Sequence, residues 1–201
     1  MSVRSLGLSG ISGYEVTVEC FLSGGLPAFD VVGLPDTAVR EARERVRAAV
    51  KTCGARFPVS RITVNLAPAG QRKEGTVYDL PILLGLLTAS EELPPLPEDA
   101  AFLGELALDG SLRPVSGVLP MALTAAASGV QALYVPAENA AEAAEACGDT
   151  MLVYPAHTAL EVVDALRGIR PISPIRCAPF DPTDAWNAAP DFADVMGQPL
   201  A

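Results

Sequence analysis

The chain is poor in the side chains that carry most protein chemistry. Among its 201 residues histidine occurs once, at His157, and lysine twice, at Lys51 and Lys73. A lone histidine inside PAHTALEVV, which reads as a helix start, does not support an imidazole-dependent triad. The four cysteines, Cys20, Cys53, Cys147 and Cys177, are far apart with no C-x-x-C pair, so they read as separate, mostly buried thiols and not as zinc ligands. No apolar run approaches the roughly 18 residues of a membrane-spanning helix. The opening MSVRSLGLSGISGYEV lacks a hydrophobic signal core followed by a cleavage site, which leads us to expect a cytoplasmic protein. No G-x-x-x-x-G-K-[ST] occurs and neither lysine has that setting, so the chain carries no P-loop for a nucleotide.

What the chain does have is apolar bulk and an uneven charge. Half of its residues are hydrophobic, enough to fill a core. The net charge of −10 argues against coating nucleic acid by bulk electrostatics. Yet nine of the 14 basic residues, from Arg40 to Lys73, fall in one segment that holds only two acids, Glu41 and Glu44. A strongly basic stretch thus sits inside an acidic protein.

Periodicity organises the segment further. YEVTVECFL alternates like a half-buried strand with Val16, Val18 and Cys20 on one face, and Gly24-Gly25 then turns the chain into AFDVVGL, expected to pair with it. Asp36 is a plausible N-cap for a helix over 37–53, in which Val39, Ala42, Val46, Ala49 and Val50 have helical spacing and Gly54 supplies the stop. Arg40, Arg43, Arg47 and Lys51 recur at steps of three and four and share a stripe beside the apolar one. On charge alone such a stripe is either a solvated face or a surface for a polyanion or acidic partner. RITVNLAP reads as a buried strand running into a polar loop with Arg72 and Lys73, and DLPILLGLLTAS as a core helix. EELPPLPEDA is an exposed connection, and FLGELALDGSLRPV is a hairpin with a two-residue turn at Asp109-Gly110. From there to Gly168 helix and strand alternate, as in a parallel layer. The proline-rich remainder, 171–201, reads as a linker.

Three blocks, GGLPAFDVVGLPDTAVREARERVRAAV, ITVNLAPAGQRKEGTVYDLPILLGLL and GELALDGSLRPVSGVLPMAL, resemble in order and spacing the N-terminal domain of the ComM/YifB family of Mg-chelatase-like AAA+ proteins. The resemblance covers roughly residues 1–170, and DFADVMGQ in the tail resembles that family's lead into its ATPase module. It implies an α+β, Lon-protease-like domain of the ribosomal S5 domain 2-like class, with mixed sheets packed with helices, over 1–170. A linker over 171–201 would lead toward an ATPase module that this chain lacks. In Lon proteases a serine in a K-x-G-x-S loop works with a lysine. The matching loop here is Lys73-Glu74-Gly75-Thr76-Val77, which puts Val77 at the serine position, while Leu119 falls at the lysine position. Valine cannot be a nucleophile, and Thr76 has no evident base beside it in the sequence.

The resemblance implies a non-catalytic module of a hexameric, ATP-driven DNA branch-migration motor used in homologous recombination and natural transformation. ATP and Mg are expected only in the absent module, and no cofactor in this chain. Arg40, Arg43, Arg47, Lys51, Arg72 and Lys73 would then meet DNA phosphates, whether single-stranded, duplex or branched, without reading sequence, since no aromatics interleave with them. The alternatives are a purely structural domain whose basic stripe pairs with an acidic neighbour in the ring, or a residual Lon-like peptidase. A porphyrin and magnesium chelatase is poorly supported, because nothing in the sequence provides an oxygen-rich magnesium cage.

Overall fold

The computed structural model describes residues 2–147 and 150–176. In chain order they form β1 (Ser2–Ser9), β2 (Ser12–Ser23), β3 (Ala28–Val32), α1 (Thr37–Thr52), β4 (Arg61–Ala67) and α2 (Asp79–Ala89). There follow β5 (Ala100–Phe102), β6 (Glu105–Leu106), β7 (Leu112–Arg113), α3 (Val118–Ala127), β8 (Ala132–Pro136), α4 (Ala140–Cys147), β9 (Leu152–Ala156) and α5 (Ala159–Leu166). Seven strands make one mixed sheet in the order β3-β4-β2-β1-β5-β8-β9, and β6 and β7 form a separate ribbon. The layout is α+β, with helices packed on a mixed sheet, as the sequence suggests.

The first half of the sheet is antiparallel across β1, β2 and β4, and the second half is parallel across β1, β5, β8 and β9. In β2 the expected alternation holds: Val16, Val18 and Cys20 are buried while Glu15, Glu19 and Phe21 face out. The alternating pattern of the sequence does not mark β1, because this strand lies inside the sheet and buries Ser5, Leu6 and Gly7 in succession. Ser5 Oγ is satisfied there by donating to the Phe102 carbonyl at 3.0 Å. Across the parallel half, Phe102, Tyr134 and Tyr154 share one register and stack at 4.9 and 4.7 Å between centroids. Aromatic pairs of this kind stabilise neighbouring strands beyond their buried area.

Two expectations from sequence are corrected. The β3 strand does not pair with β2; it runs parallel to β4, which lies between them, with Phe29 opposite Ile62. The segment from β3 through α1 to β4 is therefore a crossover unit, and the Gly24-Gly25 stretch is a connection across the sheet, not a hairpin turn. The β6–β7 ribbon does turn at Asp109-Gly110, but its loop has three residues: Ala107 N–H donates to the Ser111 carbonyl, Gly110 alone takes a positive φ of 85°, and Asp109 Oδ1 accepts from Ser111. A type I turn closed by a left-handed glycine fits this better than a two-residue turn, in which both central residues would need positive φ. The first residues of the proline-rich segment are packed. Ile172 and Ile175 pack against the core and Ile175 bridges to Val153 of β9, so the packed chain continues past residue 170. Residues 177–201 of the expected linker lie outside the described residues.

The core gathers round α2, every residue of which from Asp79 to Thr88 is buried. A helix apolar on all sides must be enclosed, and here β1, β2 and α1 enclose it. Asp79 brings a charge into this core. The Asp79 carboxylate, 1% exposed, receives Arg45 Nε at 2.5 Å and Nη2 at 3.0 Å, and the Leu106 N–H at 3.1 Å. Burial pushes this carboxyl up, and the guanidinium and the amide oppose that push. The contact clips α1, α2 and the β6–β7 ribbon together.

Removing Arg45 leaves the Asp79 charge buried alone. Arg45→Ala is therefore expected to lower stability by about 3–5 kcal/mol in urea unfolding, whereas replacing both Arg45 and Asp79 by apolar residues should recover most of that loss. A single variant within about 1 kcal/mol of the parent would contradict the assigned role. A second prediction concerns the thiols. Burial pushes Cys20 up to about 12 and Cys53 up to about 11, so both stay protonated at neutral pH. Alkylation at pH 8 followed by peptide mapping should leave both unmodified in the native chain and label both after unfolding.

Candidate nucleic-acid interface

The α1 helix is positioned by its cap and its apolar face. Asp36 Oδ1 accepts the Val39 N–H at 2.8 Å, and the same carboxylate accepts the Gly75 N–H through Oδ2 at 3.0 Å. The helix start is thereby joined to the 72–75 loop, which also bonds through Lys73 O to Asp36 N and through Lys73 N to Leu34 O. The turn that makes this possible needs Gly33: its φ is 99°, and an added Cβ would lie 2.2 Å from the Leu66 carbonyl oxygen. With Val39, Ala42, Val46, Ala49 and Val50 buried, Arg40, Arg43, Arg47 and Lys51 all point into solvent. The expected stripe is present.

Three of these cations converge on a groove of about 650 Å³ between α1, the start of β3 and the loop before β4. Arg43, Arg47 and Lys51 line it together with Arg56, Phe29 and Phe57. The Arg47 guanidinium lies 5.6 Å above the Phe57 ring, and Phe57 stacks on Phe29 at 6.5 Å. A guanidinium over an aromatic face is attracted by the ring quadrupole. Arg40 borders a neighbouring hollow with Arg61 and Asp30, to which Phe29 also contributes. Arg61 is paired with Asp30 at 2.8 Å and Arg43 with Glu44 at 3.5 Å, contacts between exposed groups that neutralise little. Among the described residues no carboxylate lies within ion-pair distance of Arg40, Arg47, Lys51 or Arg56.

The structure separates the last two residues of the expected set from this face. Arg72 is exposed and pairs with Glu74 at 3.2 Å beside a different hollow, lined by Leu8, Gly10 and Tyr14. Lys73 is fully buried, and its ammonium donates to the Pro68 carbonyl and, at 2.8 Å, to that of Gln71. Burial lowers its proton affinity. A side chain turned inward and bonded in this way has no reach to a phosphate, so the expectation for Lys73 is corrected. Conversely, Arg56, Phe57 and Phe29 belong to the groove although charge periodicity alone does not single them out. The Arg-Phe-Pro that follows the Gly54 stop was the available signal.

The loop that resembles a peptidase site forms a second cavity of about 430 Å³, lined by Thr76, Val77, Glu105, Ser116 and Met121. Val77 is buried, and it is Met121 that joins it there, while Leu119 is exposed on α3. Thr76 does have a carboxylate beside it: its hydroxyl donates to Glu105 Oε2, and Arg113 lies 3.6 Å from the other oxygen of that carboxylate. The imidazole or amine that activates a hydroxyl nucleophile is not at hand, since Lys73 is engaged at the 68–71 turn and His157 is exposed, its backbone N–H bonded to Glu161 before α5. Among the described residues no group of three or more metal-ligating side chains converges, and no helix is long and apolar enough to cross a membrane.

Comparison with known proteins places this arrangement in a family. The chain is 43% identical over 172 residues to competence protein ComM of Haemophilus influenzae, covering 83% of this chain and 32% of that protein. It is 41% identical over 199 residues to the uncharacterized protein YifB of Escherichia coli and 40% identical over 198 to an uncharacterized protein of Mycobacterium tuberculosis, each match covering 98% of this chain and 38% of the relative. The chain thus spans little more than a third of the length of these relatives. The family of the Mg-chelatase subunit ChlI matches residues 18–139, and the chain belongs to that family, with ComM and YifB among its relatives.

Proposed function

We propose that this chain is a non-catalytic, DNA-contacting domain of a ComM-like AAA+ motor, with a Lon-protease-like fold whose dyad positions, Val77 and Leu119, are chemically inert. The single observation that carries the reading is the exposed row Arg40, Arg43, Arg47 and Lys51, which opens onto a groove in an otherwise acidic chain. Cations gathered on one face of a protein of net charge −10 focus a local positive potential that suits an anionic partner. Phosphate contacts of this type position a strand without reading its sequence, and their strength falls with salt as counterions are released. In the complete protein the expected setting is a hexamer with an ATPase module that supplies ATP and Mg chemistry, at work in recombination and natural transformation.

The test is fluorescence anisotropy of labelled DNA across a salt series, with an Arg40→Glu/Arg43→Glu/Arg47→Glu variant. We expect the variant to bind at least tenfold more weakly and to flatten the salt slope, by roughly 0.7–0.9 for each phosphate that is no longer neutralised. Arg72→Glu, on a different surface, should change affinity less than twofold. Unchanged binding in the triple variant would contradict the reading. The same charge segregation also supports contact with the acidic surface of a neighbouring subunit. Sedimentation velocity of the complete hexamer separates the two: loss of assembly with DNA affinity per hexamer preserved favours the subunit contact.

A further inference from the structure

We infer that the groove beside α1 takes single-stranded nucleic acid, seating an unpaired base on the aromatic floor formed by Phe57 and Phe29 while Arg43, Lys51 and Arg56 hold the flanking phosphates. This rests on the nucleic-acid reading above and narrows it. A duplex could be held by the outer row of α1 alone, because its phosphates lie on a convex surface and its bases hide their faces in the stack. A recessed, mainly apolar floor adds nothing to such a contact. An unpaired base, by contrast, exposes two flat apolar faces to water, and burying one of them on an aromatic ring or on a guanidinium plane is the common device of single-strand binding.

The groove has the parts for this in the right relation. Phe57 and Phe29 are both partly exposed, come from different segments, and stack with centroids 6.5 Å apart and planes 24° from parallel. The Arg47 guanidinium already lies over Phe57 at 5.6 Å, so a base settling there stacks against that guanidinium or takes its place over the ring. Arg43, Lys51 and Arg56 line the same groove. The volume, about 650 Å³, falls within the roughly 300–1,000 Å³ range of sites that enclose small organic ligands. The platform is also fixed in place. Phe29 is held by the parallel register of β3 on β4, and Phe57 follows the turn in which Gly54, at φ 70°, returns the chain so that the Ala55 N–H bonds to the Val50 carbonyl at 3.1 Å. A fixed platform loses little entropy when a base settles on it.

The experiment uses the full chain with an oligothymidylate and a blunt duplex of equal length, compared by anisotropy at low salt. A second oligonucleotide, carrying 2-aminopurine, reports stacking by fluorescence. The parent is expected to bind the single strand at least tenfold more tightly than the duplex and to quench the 2-aminopurine. Phe57→Leu keeps apolar packing but removes the ring. It should weaken single-strand binding roughly 5- to 100-fold, the effect of unstacking one base, and leave duplex binding within twofold. Equal binding of both DNA forms, with Phe57→Leu neutral and no quenching, overturns the base-seating inference and leaves the DNA-contact reading standing. Binding of neither form by the parent overturns both.

Discussion

Enclosed by α1, α2 and the β6–β7 ribbon, the Asp79 carboxylate must be met by charge-assisted donors, and Arg45 and the Leu106 amide meet it. That contact decides more than stability. Arg45 sits between Arg43 and Arg47 in sequence, and by turning inward it fixes the rotation of α1 about its axis. The arginines two positions to either side then face solvent. The apolar stripe on α1 is made of small residues, Val39, Ala42, Val46, Ala49 and Val50, which give the helix close packing but little to lock its rotation. A bidentate contact to a buried carboxylate supplies the lock.

The same topology gathers the basic groove at one end of the sheet. The order β3-β4-β2-β1-β5-β8-β9 puts the β3–α1–β4 crossover at one edge. The basic row of α1, the Arg56-Phe57 turn that follows it and the Phe29 strand that precedes it converge there. The hairpin ribbon and the loop carrying Thr76 converge on a separate cavity, where Glu105 engages the threonine hydroxyl. At the loop that resembles a peptidase site, Val77 is buried and the Thr76 hydroxyl is bonded to Glu105, while the basic groove lies elsewhere, beside α1.

Much of this was legible in the sequence. The spacing of Val39 through Val50, with Asp36 before and Gly54 after, located α1 to within a residue, and the apolar run of α2, longer than a usual strand and with a proline near its start, fits a core helix better than a strand. Local pattern was sufficient for both because each element's face is set by its own side chains. Pairing partners are not local. The apolar stretch AFDVVGL is as compatible with β2 as with β4, and pairing it with β2 hid the groove, in which β3 lies beside β4 and Phe29 meets Phe57. The inward turn of Lys73 was likewise invisible: nothing in AGQRKEG distinguishes a lysine offered to solvent from one bonded to carbonyls two and five residues earlier. The carboxylate beside Thr76 arrives from a ribbon 29 residues later in the chain.

A two-dimensional amide NMR titration of the chain with an oligothymidylate most directly tests whether the groove beside α1 is the nucleic-acid face. The predicted result is a set of saturable shifts confined to residues 27–30 and 40–61, with the amides of 74–77 and 105 unmoved. Shifts centred on the Thr76 and Glu105 cavity, or spread over the acidic α4 and α5 half of the molecule, would contradict it.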